Sequence, residues 1–336
     1  MLLNELDPMG QKVYAVDSGF PRYKCMHLGK KVIHDSAKAL LALHQNFPES
    51  FQDVIRFLSN ISGKVVCTGM GKSHHVAEKI AATLSSTGTP AFFVHPAESM
   101  HGDLGMIQEN DVVLALSLSG ETAETIQLLK HSPTRLSIAI TAKPHSTMAR
   151  LSSWVLPIPE YPESCPLGLA PTTSCLMMMA LGDGLAMALL SHKNFSKQNF
   201  RAFHPSGSLG QALKPVTEMM QPAPVFPENT PFKTMLAQWI ALQTPLVGLM
   251  DQHGILTATI TALDIQNWSA WDISPLLCSE IPVANPLIQS QCVLDHMLWM
   301  DAIKIMHDTG QKALFVINKH HQPVGIIYND GLGKVP

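Results

Sequence analysis

The residues best suited to chemistry sit at predicted strand-to-helix turns. Residues 69–73 read Gly-Met-Gly-Lys-Ser. A glycine turn opening a helix presents free backbone amides and the positive end of the helix dipole, which suits an anion. Lys72 adds a cation there. Neither common phosphate fingerprint is complete. A Walker A loop needs glycine at 66, which is Val66, and a dinucleotide loop needs glycine at 74, which is His74. A second turn, 117–122, reads Ser-Leu-Ser-Gly-Glu-Thr. The hydroxyls of Ser117, Ser119 and Thr122, with Gly120 between them, suit a sugar-phosphate cradle at another helix start. An extended chain turns Leu118 away and puts Ser117 and Ser119 on one side. Ordinary helix capping by Ser119 is the simpler alternative.

Carboxylates supply a second chemistry, proton transfer. Glu121 and Glu124 are three apart and stack on one helix face. Periodicity does not choose between them, and both also suit a solvated first turn. Glu160 and Glu163 precede a Pro/Gly loop, 165–171, stiff enough to hold Glu163 over a cleft. Histidines cluster at turns as well: His95-Pro96, His101-Gly102-Asp103 and His204-Pro205-Ser206-Gly207. The pairs His74–His75 and His320–His321 read as surface residues.

These turns need a scaffold. Short apolar runs at 64–68, 91–94, 111–117, 136–141 and 154–158 are separated by runs of helical spacing, such as 76–86 and 121–129. That pattern implies an α/β fold with a doubly wound parallel sheet, covered on both faces. Ligands collect at the carboxyl ends of such strands. Two helices span 31–60, broken near Pro48, and further helices cover 172–192 and 196–203. The expected division is an irregular extension at 1–28, the sheet domain at 29–213, and a linker at 214–231 holding Pro222, Pro224, Pro227 and Pro231. Two copies of a small αβ unit follow, a divergent one at 232–270 and a second at 271–336. Leu246 and Ala313 open matching runs 67 residues apart. One copy would hardly bury its own apolar face, so a pseudo-symmetric pair is expected.

Composition narrows the class. Of 336 residues, 46% are hydrophobic and 15% charged, which excludes a disordered chain. The net charge of −3 leaves no basic footprint for nucleic acid. Six scattered cysteines without a CxxC pair fit a reducing cytoplasm better than a disulfide framework. Glu5 and Asp7 stand where a secretory signal needs basic residues, so none is expected. The uncharged stretch 164–182 holds Pro166 and Pro171 and reads as a loop and then a buried helix, not a membrane span.

In this order and spacing, GMGKS (69–73), HGDLGM (101–106), SLSGE (117–121), CPLGLAPT (165–172) and HPSGSLG (204–210) resemble the arabinose-5-phosphate isomerases. That family has a sugar-isomerase (SIS) domain followed by two CBS repeats. The resemblance spans roughly residues 30–336, closely to about Leu213 and loosely beyond. It implies that Lys72, Glu124, Glu163 and His204 are the catalytic side chains. It also implies substrate contacts from Gly88, Thr89 and His101, and a phosphate site at Ser73, Ser117, Ser119, Gly120 and Thr122. His95 matches a position where members bind zinc as an incidental or inhibitory ion. His74 and Ser206 replace family glycines, and Leu118 replaces an asparagine.

The activity implied is interconversion of D-ribulose 5-phosphate and D-arabinose 5-phosphate through a cis-enediolate, feeding Kdo and lipopolysaccharide synthesis. Glu124 or Glu163 suits the base, Lys72 electrostatic stabilisation and His204 ring opening or proton transfer between oxygens. The resemblance further implies a cytoplasmic homotetramer with no required cofactor, no nucleic-acid or membrane partner, and an unassigned CBS ligand. The rival reading is a non-catalytic sugar-phosphate sensor, which needs the hydroxyls but not the proton-transfer groups.

Overall fold

The computed structural model describes residues 4–6, 12–14, 22–261, 264–265, 277–278 and 292–328. The chain divides into two compact units, Met1–Phe195 and Ser196–Pro336. This division precedes the boundary expected at Leu213, so the helices after Phe195 go with the second unit.

The first unit opens with strands β1 (Asn4–Leu6) and β2 (Lys12–Tyr14), paired antiparallel, and helix α1 (Arg22–Gln45). The segment 1–28 is therefore not irregular throughout. The glycines and prolines that suggested irregularity all lie at or before Pro21, and nothing from 22 to 28 breaks a helix. Then follow α2 (Phe51–Leu58), β3 (Val65–Gly69), α3 (Lys72–Ser86), β4 (Ala91–Phe93) and the short α4 (Pro96–Ser99). The unit continues with β5 (Val112–Leu116), α5 (Ala123–His131), β6 (Ser137–Thr141), α6 (Thr147–Leu151), β7 (Trp154–Pro157) and α7 (Thr173–His192).

Strands β3 to β7 form one parallel sheet in the order β4-β3-β5-β6-β7. β3, β5 and β6 are buried at every residue, as a sheet covered on both faces requires. Side chains alternate between two cores. Val65 and Cys67 join α1, α2, α3 and α7, whereas Val66 joins Ile126 and Leu128 of α5 and Met148 of α6.

α7 is long and apolar enough to cross a membrane by length and composition alone. Met177, Leu181, Leu185 and Leu189 are instead buried in the core with Ile80 and Leu84 of α3. A Cβ on Gly182 would lie 2.3 Å from Ile80 Cδ1, so the two helices approach this closely only over glycine.

The second unit carries α8 (Lys197–Phe203), α9 (Gly207–Ala212), β8 (Val225–Pro227), α10 (Phe232–Leu242), β9 (Leu246–Met250) and β10 (Leu256–Thr261). Next come β11 (Cys292–Leu294), the helix Trp299–Thr309, β12 (Ala313–Ile317) and β13 (Pro323–Tyr328). Val225, Phe232, Leu246 and Leu256 open one strand-helix-strand-strand set; Cys292, Trp299, Ala313 and Pro323 open the other, each 67 residues on. In both sheets the first strand pairs parallel with the second, and the second antiparallel with the third. β8 falls inside the expected linker. Pro227 ends it on a sheet edge, where its missing N–H breaks no central ladder. Leu246 and Leu256 share a core with Ala313, Phe315 and Ile326, so each copy helps bury the other. Asp264 accepts hydrogen bonds from Thr261 N and Oγ1 at 2.7 and 2.6 Å, the work of a turn acid. Its counterpart in the sequence, Asp330, lies outside the described residues.

Candidate active site

A cavity of about 440 Å³ opens at the carboxyl end of the sheet. Its walls come from the turns after β3, β5, β6 and β7 and from the start of α7. Lys72 and Ser73, on the first turn of α3, line it. Lys72 is exposed and has no carboxylate within ion-pair distance among the described residues. Its charge is therefore free to meet an anion.

Ser117, Leu118, Ser119 and Thr122 line the opposite wall. Leu118 does not turn away as an extended chain would have it, because β5 ends at Leu116 and alternation ends with it. Ser117 Oγ lies 2.8 Å from Thr122 Oγ1 and accepts from the Gly120 amide at 3.1 Å. Ser119 Oγ accepts from the Glu121 amide at 3.2 Å. These bonds use hydroxyl lone pairs, so the Ser119 proton remains available to an anion. The N-cap of α5 is Thr122, not Ser119, and its side chain makes no capping bond. Gly120 holds this turn at φ 65°, and a Cβ there would lie 2.0 Å from Ser146 Oγ.

Glu121 and Glu124 do not stack on one helix face as expected, because α5 begins at Ala123 and Glu121 lies in the turn before its N-cap, Thr122. Glu121 Oε1 accepts from the Thr147 amide at 2.7 Å. That bond, with the Thr147 hydroxyl, holds its carboxyl below the usual range. Glu121 thus ties α6 to the turn. Glu124 is half-buried and makes no hydrogen bond or ion pair among the described residues. It does not line the cavity.

Glu163 is held by the start of α7. Its Oε2 accepts from Thr172 N at 2.6 Å, Thr172 Oγ1 at 2.8 Å and Thr173 Oγ1 at 3.1 Å. The Thr172 hydroxyl also accepts from Ser164 N at 2.9 Å, which clasps the Pro/Gly loop shut. Burial works to raise the Glu163 carboxyl, but the neighbouring Ser174 side chain and the hydrogen bonds from Thr172 and Thr173 outweigh it and hold the pKa below the usual range. Its Oε1 is buried and has no hydrogen-bond partner among the described residues. Ser174 and Cys175, next along α7, line the cavity. Burial, then the Glu163 charge, pushes the Cys175 thiol up, while Lys72 pulls it down. Glu163 and Lys72 are therefore both close enough to Cys175 for their charges to be felt there.

Other expected residues stand elsewhere. Gly88 follows α3 at φ 88° under the Phe195 ring. Thr89 is buried and accepts from Lys193 Nζ at 3.0 Å. Burial lowers the Lys193 pKa. His101 is exposed in a turn after α4. His95 is the N-cap residue of α4, and its Nδ1 is buried without a hydrogen-bond partner among the described residues. None of these four lines the cavity. His74 is not a free surface residue: its ring is half-buried against Phe93 and His95, at centroid distances of 4.5 and 5.1 Å.

His204 belongs to the second unit, at the end of α8. Its ring stacks on Phe200 at 3.9 Å, and Nδ1 lies 3.0 Å from the Phe200 carbonyl. A carbonyl only accepts, so Nδ1 carries the proton and Nε2 keeps a lone pair for chemistry.

Lys143, Tyr161, Ser174 and Cys175 line the cavity and were not singled out in the sequence. Lys143 and Tyr161 follow β6 and β7, so the rule that ligands gather at strand ends had room for them. Lys143 pairs with Glu160 at 2.6 Å.

Known proteins share this fold and much of the sequence behind it. Residues 58–188 match the SIS domain. Arabinose 5-phosphate isomerase KdsD of Pseudomonas aeruginosa is 36% identical over 311 residues, 90% of this chain and 94% of that protein. Arabinose 5-phosphate isomerase KpsF of Escherichia coli O6:H1 is 37% identical over 284 residues, 82% of this chain and 85% of that one. Among solved structures, the E. coli CFT073 protein c3406 in complex with arabinose 5-phosphate is 40% identical with a TM-score of 0.52, covering 55% of this chain and 98% of that chain. By this shared length and identity, the chain belongs to the arabinose 5-phosphate isomerase family.

Proposed function

We propose that this protein interconverts D-arabinose 5-phosphate and D-ribulose 5-phosphate through a cis-enediolate. One observation carries the proposal. The cavity joins a hydroxyl-lined helix start to an unpaired Lys72, and Glu163, though not itself a lining residue, is hydrogen-bonded to Thr172 and Thr173 next to Ser174 and Cys175 of the wall. A sensor of sugar phosphates needs the hydroxyls alone.

The phosphate sits at Ser73, Ser117, Ser119 and Thr122, where hydroxyls and helix-start amides face it. Glu163 takes the proton from C2 of the open-chain aldose, and the electron pair moves through C1 onto O1. Lys72 stabilises the charge that develops on oxygen. Return of the proton to C1, with transfer of the O2 proton to O1, leaves the ketose. Glu163 fits the carrier because one oxygen is anchored by three donors and the other has no hydrogen-bond partner among the described residues. The family's assignment makes Glu124 the second acid and gives His204 ring opening and oxygen proton transfer. The reaction moves no electrons out of the sugar, so it requires no redox cofactor.

The same proposal includes the paired repeats as a CBS module and a cytoplasmic homotetramer supplying Kdo synthesis. Ile33, Leu40 and Leu41 leave an exposed apolar stripe on α1 that suits a subunit contact. Turnover of D-arabinose 5-phosphate to ribulose 5-phosphate by the purified chain is the test. Binding without turnover would favour the sensor.

A further inference from the structure

We propose that His74, His75 and Glu78, on the exposed side of α3, form a binding site for one borderline-soft divalent cation of the zinc type. His74 Nε2 lies 3.1 Å from Glu78 Oε2, and His75 Nδ1 lies 3.8 Å from the same oxygen. All three donor atoms fall within 4.8 Å of one another. Zinc bonds of about 2.0–2.2 Å at tetrahedral angles put ligand atoms roughly 3.3–3.6 Å apart. The two measured separations straddle that value. The His75 side chain, 68% exposed, is free to swing in and close the wider one.

Two further features favour a metal over a simple ion pair. Both imidazoles converge on one carboxylate oxygen, which brings three metal-ligating atoms together on one helix face. The His74 ring is also packed against Phe93 and His95, so its orientation is set before any ion arrives. Two imidazoles and one carboxylate, with an open side for water, match the ligand set of a zinc-type ion. The positive end of the α3 dipole opposes a purely electrostatic cation. Imidazole ligation therefore selects zinc, nickel or copper over magnesium or calcium. The site is distinct from His95, which meets His74 by its ring edge and supplies none of the three donors.

The test titrates chelator-treated full-length protein with zinc against a chromophoric competitor, and with cobalt by visible absorption. His75 and Glu78 are exposed, so His75→Ala and Glu78→Gln should fold normally, which circular dichroism checks. The expected result is one zinc per chain, not displaced by magnesium or calcium. Losing an outer-sphere partner weakens metal affinity about 10–100-fold, so removing a direct ligand should weaken it at least as much. Cobalt should show d–d bands without a thiolate charge-transfer band, and His95→Ala should keep the affinity. Unchanged affinity in both ligand variants, loss only in His95→Ala, or a thiolate band would each overturn the site.

Discussion

Replacing Glu163 by Gln separates its chemistry from its structural work. In the wild type Oε2 accepts three hydrogen bonds, all to an ionised acceptor. Bonds to a charged group contribute about 1.5–3 kcal/mol each, against roughly 0.5–1.5 for neutral ones. Glutamine keeps an acceptor of the same shape but loses the charge, at about 1 kcal/mol per bond. The summed loss is at most about 3 kcal/mol, because bonds sharing one oxygen are not additive. For a unit of this size that is a fall in Tm of roughly 6–12 °C. Loss of the proton carrier should lower kcat by about 10²–10⁴-fold with little change in KM. pH gives a second check. The folded pKa of Glu163 lies below its unfolded value, so its stabilisation is complete above the ordinary glutamate range. It is lost as pH falls through the lowered folded value. The Tm gap between wild type and Glu163→Gln should therefore narrow in acid. Paired melting curves and steady-state kinetics at several pH values measure all of this. A variant with kcat within a few-fold of wild type, despite the expected Tm loss, would refute the proton-carrier role and leave Glu163 as a loop clasp.

Lys72→Ala should abolish turnover while shifting stability by less than about 0.5 kcal/mol, since Lys72 is exposed and unpaired; thermal melts and turnover check both. Glu121→Gln should keep activity with a small fall in Tm as its tie to the Thr147 amide weakens, whereas Glu124→Gln should lose activity without that fall; melts and turnover check both. Gly120→Ala should raise KM for sugar phosphate, because a Cβ meets Ser146 Oγ and a positive φ costs a non-glycine residue about 1–3 kcal/mol. Gly120→Ala combined with Ser146→Gly should recover part of the KM by removing the clash but not the strain.

The sheet was legible because parallel strands buried on both faces read as unbroken apolar runs, and β3, β5 and β6 are buried throughout. Lys72 and the 117–122 hydroxyls were legible for a related reason: each follows directly on such a run. Ser174 and Cys175 were not, because they reach the cavity only after the Pro/Gly loop folds back, and no local pattern reports that. The choice between Glu121 and Glu124 also escaped periodicity, since two acids three apart read as one helix face wherever the helix starts. The start of α5 at Ala123 and the Thr147 contact separate them. β8 and β11 escaped because three residues are too few to show alternation, and two prolines beside or within β8 read as linker. The division at Phe195 left no mark either, as α8 carries the same kind of spacing as the helices before it.

Deuterium exchange at C2 of the sugar tests isomerisation most directly. Purified protein incubated with D-arabinose 5-phosphate in heavy water should wash deuterium into C2 of the aldose while ribulose 5-phosphate accumulates. Lys72→Ala and Glu163→Gln should do neither while still folded. Binding of the sugar phosphate by wild-type protein with no exchange and no ketose would contradict an enediolate route and leave a binding module in its place.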